Sequence, residues 1–383
     1  MSDKPFQFSE EDMRLMAYFQ TALKTQISLV RNVEGQPFPE RLNETAAIQL
    51  ADQLVKRLQT AFAPGLVTIE DVTGDEELAD EGEELYGLAP RTARSKAYRL
   101  LRMQMQDEKG TVVWCEVMSA NHFTFSLCTD EETLVEQSLF LRRFVDLLDL
   151  KFNYAYDPKL GYLTAQLALL GTGFRIRTWL HVGALAYFGY LRELQNMAEV
   201  KESLIEGINQ NTFEPPPGHI VILFNRDAMG HTVESIAKQH LEVALRIAEE
   251  EMAARYRWAH TEPFAFLDTL KRGNAMVRNA LMISEAEALD FMSDLRIALY
   301  TDVIRSKTLD PTQPLWFTSV RTSYFMRHMG LPLEEELSRP LFPRQIREDA
   351  TWHADALRAT YMRNLYDVKP TKTFQRIALE VNE

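Results

Sequence analysis

The chain has 383 residues, of which 46% are hydrophobic and 25% are charged, so it can bury the cores of two or three domains. Its formal net charge of −13 argues against nonspecific nucleic-acid binding, because neutralising phosphates requires a basic surface. The two cysteines, Cys115 and Cys128, are too few for a disulfide framework, and the start of the chain has no signal-peptide pattern. No apolar run reaches the roughly 20 residues of a membrane helix. We therefore expect a soluble cytoplasmic protein.

The first part of the chain begins with two predicted helices. Ser9 and Asp12 form a capping-box pattern before apolar residues at helical spacing. Asn43 is a candidate cap for a second helix, whose apolar positions between residues 48 and 62 predict one buried face.

An acidic segment and a group of strands are predicted next. Residues 70–84 contain nine acidic side chains and no basic one, which is typical of a solvated, mobile loop; a basic partner is the alternative. Strand patterns follow, separated by a turn at 107–110, and they predict an antiparallel meander at residues 98–106, 111–118 and 122–128.

Helical patterns dominate the remainder. Three prolines and a glycine at 215–218 break the chain before a short buried strand at 219–224. Helical periods occur at residues 134–150, 233–257, 266–304 and 352–365. With a boundary near 261–263, the chain divides into an α+β part (1–258) and a helical part (259–383).

The motif at residues 161–177 reads G-Y-L-T-A-Q-L-A-L-L-G-T-G-F-R-I-R. It resembles the pattern G-Y-L-T-[SA]-C-P-T-N-x-G-T-G-x-R-A-S of the ATP:guanidino phosphotransferase family, above all of the bacterial protein arginine kinases. Further collinear segments at 30–39, 224–232 and 283–296 support the resemblance. It implies an α+β fold with an antiparallel sheet flanked by helices, followed by a smaller helical domain.

The resemblance also implies that reactive groups have been lost. Gln166 stands at the position of the family's reactive cysteine. Ser119 and Ala120 stand where the family's N-E-E-D-H-x-R segment has two glutamates, and His122 is retained. A histidine at a strand start is more often a hydrogen-bonded residue than a base. Gln26 and Ser28 replace two phosphate-binding arginines.

Some groups of the phosphate site are kept. Arg175 matches a phosphate-binding arginine of the family, although an arginine after a glycine turn is often structural. Arg31 lies beyond the lost pair and is expected to form a structural ion pair. Trp179 falls at the family's adenine-contacting position; we expect its burial in the core, and stacking on a base is the alternative. Residues 207–212 fall opposite a further family segment and carry neither its arginine nor its acid.

The C-terminal part resembles the family's phosphoarginine-binding motif R-D-x-x-R-A at residues 354–359. Asp355 and Arg358 match it, whereas Ala354 replaces the first arginine. Asp355 would take the guanidine end and Arg358 the phosphate; an ordinary i, i+3 helix pair is the alternative. The eight histidines show no zinc-ligand spacing, and the chain has no P-loop.

These features favour a catalytically silent relative of the protein arginine kinases that acts as a scaffold or regulator of arginine phosphorylation or protein quality control. We expect no cofactor, a protein partner such as an active kinase paralogue or quality-control machinery, and a homodimer or heterodimer. An active phosphotransferase that uses ATP and Mg with rearranged residues (Asp227, Arg226, Arg175 and Arg177) is the alternative. A sensor of an apolar small molecule is a third hypothesis.

Overall fold

The computed structural model describes residues 9–75, 94–106, 110–129, 133–307, 309–312, 317, 350–365 and 369–370. Its strands are β1 (Ala22–Arg31), β2 (Val67–Asp71), β3 (Arg99–Met105), β4 (Val112–Val117), β5 (Phe123–Thr129), β6 (Tyr156–Asp157), β7 (Gly161–Tyr162), β8 (Phe174–His181), β9 (Ser203–Glu206), β10 (Ile220–Asn225), β11 (Ile304–Arg305) and β12 (Lys369–Pro370). Its α-helices are α1 (Glu10–Thr21), α2 (Glu44–Gln59), α3 (Leu134–Phe152), α4 (Gly183–Tyr187), α5 (Leu191–Val200), α6 (Val233–His260), α7 (Pro263–Asn279), α8 (Glu285–Tyr300) and α9 (Ala350–Leu365).

Eight strands form one sheet in the order β2-β3-β4-β5-β1-β8-β10-β9, and every neighbouring pair is antiparallel. The predicted meander is confirmed as β3, β4 and β5, and the short buried strand as β10. The N-terminal strand β1 lies in the middle of the sheet, where it pairs with β5 and β8. The α+β fold class with an antiparallel sheet flanked by helices is therefore confirmed.

The two faces of the sheet differ in chemistry because side chains alternate along each strand. On one face, Ile27 lies opposite Leu127 and Ile176, and all three are buried. Residues of α2 and α3, such as Leu54 and Phe144, complete this apolar core. The other face carries polar and charged side chains from the same strands, and we call it the polar face.

The helix caps follow the predicted pattern. Ser9 and Asp12 form a reciprocal capping box at α1, and Asn43 accepts a hydrogen bond from the Ala46 amide at α2. Helix α6 ends at His260, and Pro263 begins α7, which agrees with the predicted break.

Two predictions need correction. The helical pattern at 266–304 is not one helix: α7 ends at Asn279, α8 begins at Glu285, and Ile304 lies in β11. The acidic segment is not a loop throughout, because its first two residues belong to strand β2, and residues 76–84 lie outside the described residues. Residues 107–109 of the predicted turn also lie outside them.

The helical part shares a core with one end of the sheet. Leu180 and Val221 of the sheet belong to the same buried cluster as Trp258 of α6, Phe266 of α7 and Leu295 of α8. Apolar packing therefore continues across the predicted boundary at residue 258. Within the described part of the chain, no helix combines the length and apolar character needed to cross a membrane.

Candidate functional site

The glycines of the 161–173 motif hold three backbone segments in close contact. A Cβ atom on Gly161 would lie 2.6 Å from the Gly171 Cα, and one on Gly171 would lie 2.7 Å from the Met229 Cα. Both glycines have positive φ, which other residues rarely adopt. These positions require glycine for packing, whatever chemistry the site performs.

Arg31 fastens this turn to the centre of the sheet. Its side chain is 2% exposed, and its Nη1 donates to the carbonyls of Val30 and Thr172 at 2.8 Å each. Its Nη2 lies 3.6 Å from Asp146, and its guanidinium carbon stands 3.5 Å from the centre of the Tyr162 ring. Burial lowers the pKa of Arg31. This arginine therefore has a structural role, as expected from the sequence.

His122, which the resemblance aligns with the family's base segment, also has a structural role. His122 is fully buried, its Nδ1 accepts a hydrogen bond from the Val33 amide at 3.0 Å, and its Nε2 lies 2.9 Å from the Pro37 carbonyl oxygen. Since a carbonyl only accepts, the ring proton sits on Nε2. Burial lowers the pKa of His122. Both nitrogens are occupied, so the ring has no free lone pair for a substrate.

The adjacent asparagine clamps two motifs together. The Asn121 Oδ1 accepts hydrogen bonds from the Ala165 amide at 2.8 Å and from the Asn32 side chain at 2.7 Å. This contact brings the base segment, strand β1 and the 161–173 turn to one place. The structure therefore joins the segment that contains Ser119 and Ala120 to the turn that contains Gln166.

Ser119, Ala120 and Gln166, the positions where the resemblance implies lost groups, carry no acid and no thiol. Ser119 and Ala120 are half-buried, and the Ser119 hydroxyl lies 3.3 Å from the Thr124 hydroxyl. Gln166 is exposed at the start of a 3₁₀ turn, Leu167–Leu169. Of the apolar residues after Gln166, Leu167 is 83% exposed and Leu169 is buried.

A cleft of about 540 Å³ borders the former base segment, and Met118 and Ser119 contribute to its lining. Two glutamates also line it: Glu44 forms an ion pair with Lys96 at 3.0 Å, and Glu40 is exposed. The cleft has room for a side chain, but Ser119 offers it a hydroxyl where the family resemblance implies a carboxylate.

A row of cations crosses the polar face. In the register of β1 and β8, Arg175 lies opposite Ser28 and Arg177 lies opposite Gln26. Within the described ranges, neither arginine has a carboxylate within ion-pair distance, and the buried Arg175 Nε has no hydrogen-bond partner. Burial lowers the pKa of both, and Arg177 lowers that of Arg175 further, whereas Glu206 opposes the shift. Such repulsion favours binding of an anion.

An aromatic side chain extends this row. Trp179 lies two residues beyond Arg177 on the same face and is half-buried, with the Lys24 Nζ 4.1 Å from the centre of its ring. The tryptophan therefore lies beside the arginines on the polar face, and the expected burial in the apolar core is wrong.

The other candidates of the active-enzyme alternative lie just after β10. Arg226 and Asp227 are exposed and pair with each other at 3.2 Å. No direct polar contact joins this pair to Arg175 or Arg177 in the part of the chain that the structure describes. The segment at 207–212 forms a turn closed by Asn209, which accepts hydrogen bonds from two of its amides.

The C-terminal candidates form an internal pair. The Arg358 Nη1 donates to Asp355 at 2.6 Å and to the Ile283 carbonyl at 2.7 Å, and Arg358 is fully buried. Ala354 is 1% exposed. The pair ties α9 to the segment before α8, which is the geometry of the ordinary helix-pair alternative.

The site thus lies on an antiparallel sheet that has one helix-covered apolar face and one polar face carrying arginines. Residues 94–254 match the family model of the ATP:guanido phosphotransferase C-terminal catalytic domain. The chain is 22% identical over 290 residues to a protein-arginine kinase of Clostridium perfringens, covering 76% of this chain and 84% of that protein. It is 24% identical over 287 residues to one of Moorella thermoacetica, covering 74% and 81%.

Among solved structures, the substrate-free duplicated taurocyamine kinase of Schistosoma mansoni matches with a TM-score of 0.51 and 17% identity. The match covers 67% of this chain and 36% of that one, so this chain spans about a third of the duplicated protein. The fold is thus that of the guanidino kinases. The resemblance to the ATP:guanidino phosphotransferases, and among them to the protein-arginine kinases, is confirmed.

Proposed function

We propose that this chain is a catalytically silent relative of the protein-arginine kinases, which acts as a scaffold or regulator of arginine phosphorylation or protein quality control. The observation that carries the proposal is the state of the former base segment. Ser119 and Ala120 have no ionisable group, and both nitrogens of His122 are engaged by the backbone. Loss of a general base typically costs about 10²–10⁴ in rate.

The phosphate side supports the same conclusion. Gln26 and Ser28 are neutral, and Gln166 replaces a thiol. Each lost group that stabilises developing charge typically costs about 10²–10³ in rate, although such losses are not additive. Phosphoryl transfer depends almost wholly on positioning and charge stabilisation, so little rate enhancement is left to this arrangement.

The catalytic part of the proposal is tested with the purified chain, Mg-ATP and an arginine-rich protein substrate. We expect no phosphoarginine by mass spectrometry and no Mg-ATP binding below millimolar concentration by calorimetry. If phosphoarginine appears with this chain, disappears in Arg175→Ala and persists in the surface variant Arg142→Ala, the chain is catalytically active and the proposal is wrong.

The regulatory part needs a separate measurement. A purified active protein-arginine kinase is assayed with and without this chain at equal concentration. We expect a complex by size-exclusion chromatography and at least a roughly twofold change in phosphorylation rate, since coupling energies between sites are typically small. If the rate is unchanged and the two proteins elute separately, the role as a regulator of such kinases is refuted.

The second candidate function is an active phosphotransferase with rearranged residues. Arg175 and Arg177, without a carboxylate partner among the described residues and next to Trp179, favour it, because phosphates bind guanidinium groups and bases stack on aromatic rings. This candidate predicts micromolar Mg-ATP affinity that falls by roughly tenfold or more in Arg177→Gln. Unchanged affinity in that variant would exclude the polar face as its nucleotide site.

A further inference from the structure

A buried chain of hydrogen bonds joins the sheet to α8. It begins at Glu251 of α6, whose carboxylate accepts from Arg255 at 2.7 Å and from the amides of α4. The Arg255 Nη2 then lies 3.0 Å from the Nδ1 of His181. The His181 Nε2 lies 2.7 Å from the hydroxyl of Ser293, and that hydroxyl lies 2.8 Å from the Nδ1 of His219.

The chemistry of the donors fixes where each proton lies. A guanidinium only donates, so the His181 Nδ1 must accept and its proton sits on Nε2. This proton is given to the Ser293 oxygen, so the single hydroxyl proton of Ser293 is free to be donated to the His219 Nδ1. The Ser293 hydroxyl then makes both of its hydrogen bonds only when His219 is neutral with its own proton on Nε2.

Ser293 lies at a close contact between α4 and α8. It is fully buried, and a Cβ atom on Gly183 would lie 2.8 Å from its hydroxyl and 3.0 Å from the His181 Nε2. A proton on the Nδ1 of His219 would turn that atom into a donor. The hydroxyl proton of the buried Ser293 would then have no acceptor among the described residues, which is costly.

His219 also controls the position of a turn. It lies in the 3₁₀ segment Pro217–His219 before β10 and has a φ of +55°, and its carbonyl accepts from the Val182 amide at 2.8 Å. The neighbouring Gly218 amide donates to Asp290 of α8 at 2.7 Å. The turn therefore binds both the end of β8 and the first half of α8.

We propose that His181, Ser293 and His219 form a pH-sensitive latch, which holds α8 against the sheet while His219 is neutral and releases it when His219 binds a proton. Burial and the cations Arg255 and Arg296 lower the pKa of His181, so the ring next to Ser293 stays neutral, and Arg296 is 2% exposed. Glu251 is already engaged by Arg255, and Asp290 is the carboxylate that favours the proton.

The sign of the pH dependence follows from burial, which lowers the pKa of His219 below 6.5. Below about pH 6.5 the unfolded chain binds a proton that the latched state excludes, so stability falls with acidification and levels off below the folded-state pKa. Asp294 on α8 titrates nearby, because burial and Asp290 raise its pKa to about 7. The experiment must separate the two groups.

The test is hydrogen exchange of the full chain, corrected for intrinsic rates, at about pH 7.5 and about pH 5.5. We expect peptides covering Gly218 and α8 to exchange roughly tenfold faster at the lower pH. His219→Asn keeps an acceptor near the Nδ1 position, tolerates positive φ and does not titrate, so it should remove the acceleration. Asp294→Asn should keep it, and Ser293→Ala should exchange fast at both pH values.

The latch proposal is wrong if exchange in His219→Asn is still faster at the lower pH. It is also wrong if Asp294→Asn no longer shows this pH effect. A second measurement does not depend on the variants. Nitrogen-15 NMR of the wild-type histidines should show the His219 proton on Nε2 at neutral pH. A proton on Nδ1 would contradict the hydrogen-bond direction and with it the proposal.

Discussion

Replacement of Arg31 by alanine should lower the free energy of unfolding more than replacement of an exposed arginine does. The variant loses two charge-assisted hydrogen bonds at 2.8 Å and the contact with the Tyr162 ring at 3.5 Å. Such hydrogen bonds are worth about 1.5–3 kcal/mol each, and a desolvated cation–π contact about 2 kcal/mol. Relief of the buried charge offsets part of this sum, so we expect a net loss of about 3–5 kcal/mol in the free energy of unfolding.

The assay is urea unfolding followed by tryptophan fluorescence, and Arg142→Ala is the matched control. Both arginines approach the same carboxylate, Asp146, but Arg142 does so at 3.4 Å from an exposed position. Its removal should cost less than about 1 kcal/mol. If Arg31→Ala also costs less than about 1 kcal/mol, the argument that Arg31 fastens the glycine turn is wrong.

Three further changes test the packing. Gly173→Ala should lose about 2 kcal/mol or more by urea unfolding, because its Cβ would lie 2.6 Å from the Val30 carbonyl; a neutral result would contradict the close approach. Glu251→Gln should lose about 3–5 kcal/mol, because it leaves Arg255 as an uncompensated buried charge, and a wild-type melting temperature would refute that account. Ala354→Arg should lower the melting temperature without creating phosphoarginine binding in a titration, because Ala354 is 1% exposed. Tighter binding of phosphoarginine by this variant would support a phosphoarginine-binding role for Asp355 and Arg358.

Local patterns predicted those elements whose periodicity or caps are strong. The capping box at Ser9, the cap at Asn43 and the meander of β3–β5 all follow from side chains close in sequence. The central strand β1 was not predicted as a strand, although its residues alternate between the two faces. Its position depends on pairing with β8, about 150 residues away, and a single sequence does not reveal such pairing.

The candidate site was predicted through motifs, and the motifs did not reveal how its residues are used. The sequence identified His122 and Arg31, but only the structure shows that both side chains form hydrogen bonds with backbone groups. The alignment of Arg177 with Gln26 was not predicted either, because it arises from the register of two strands. The chain Glu251–Arg255–His181–Ser293–His219 was missed entirely, since its members come from four distant segments and share no spacing signal.

The close stacking of Gly161, Gly171 and Met229 has a practical consequence for protein engineering. None of the atoms in this stack belongs to a side chain that would perform chemistry, so new reactive groups can be introduced beside it without disturbing the backbone. Gln166 is exposed and Ser119 is only half-buried, so a thiol or a carboxylate can be grafted at either position at small cost in stability. Each component of guanidine phosphorylation can thus be installed singly in this chain, and its contribution to the rate can be measured against the unmodified protein.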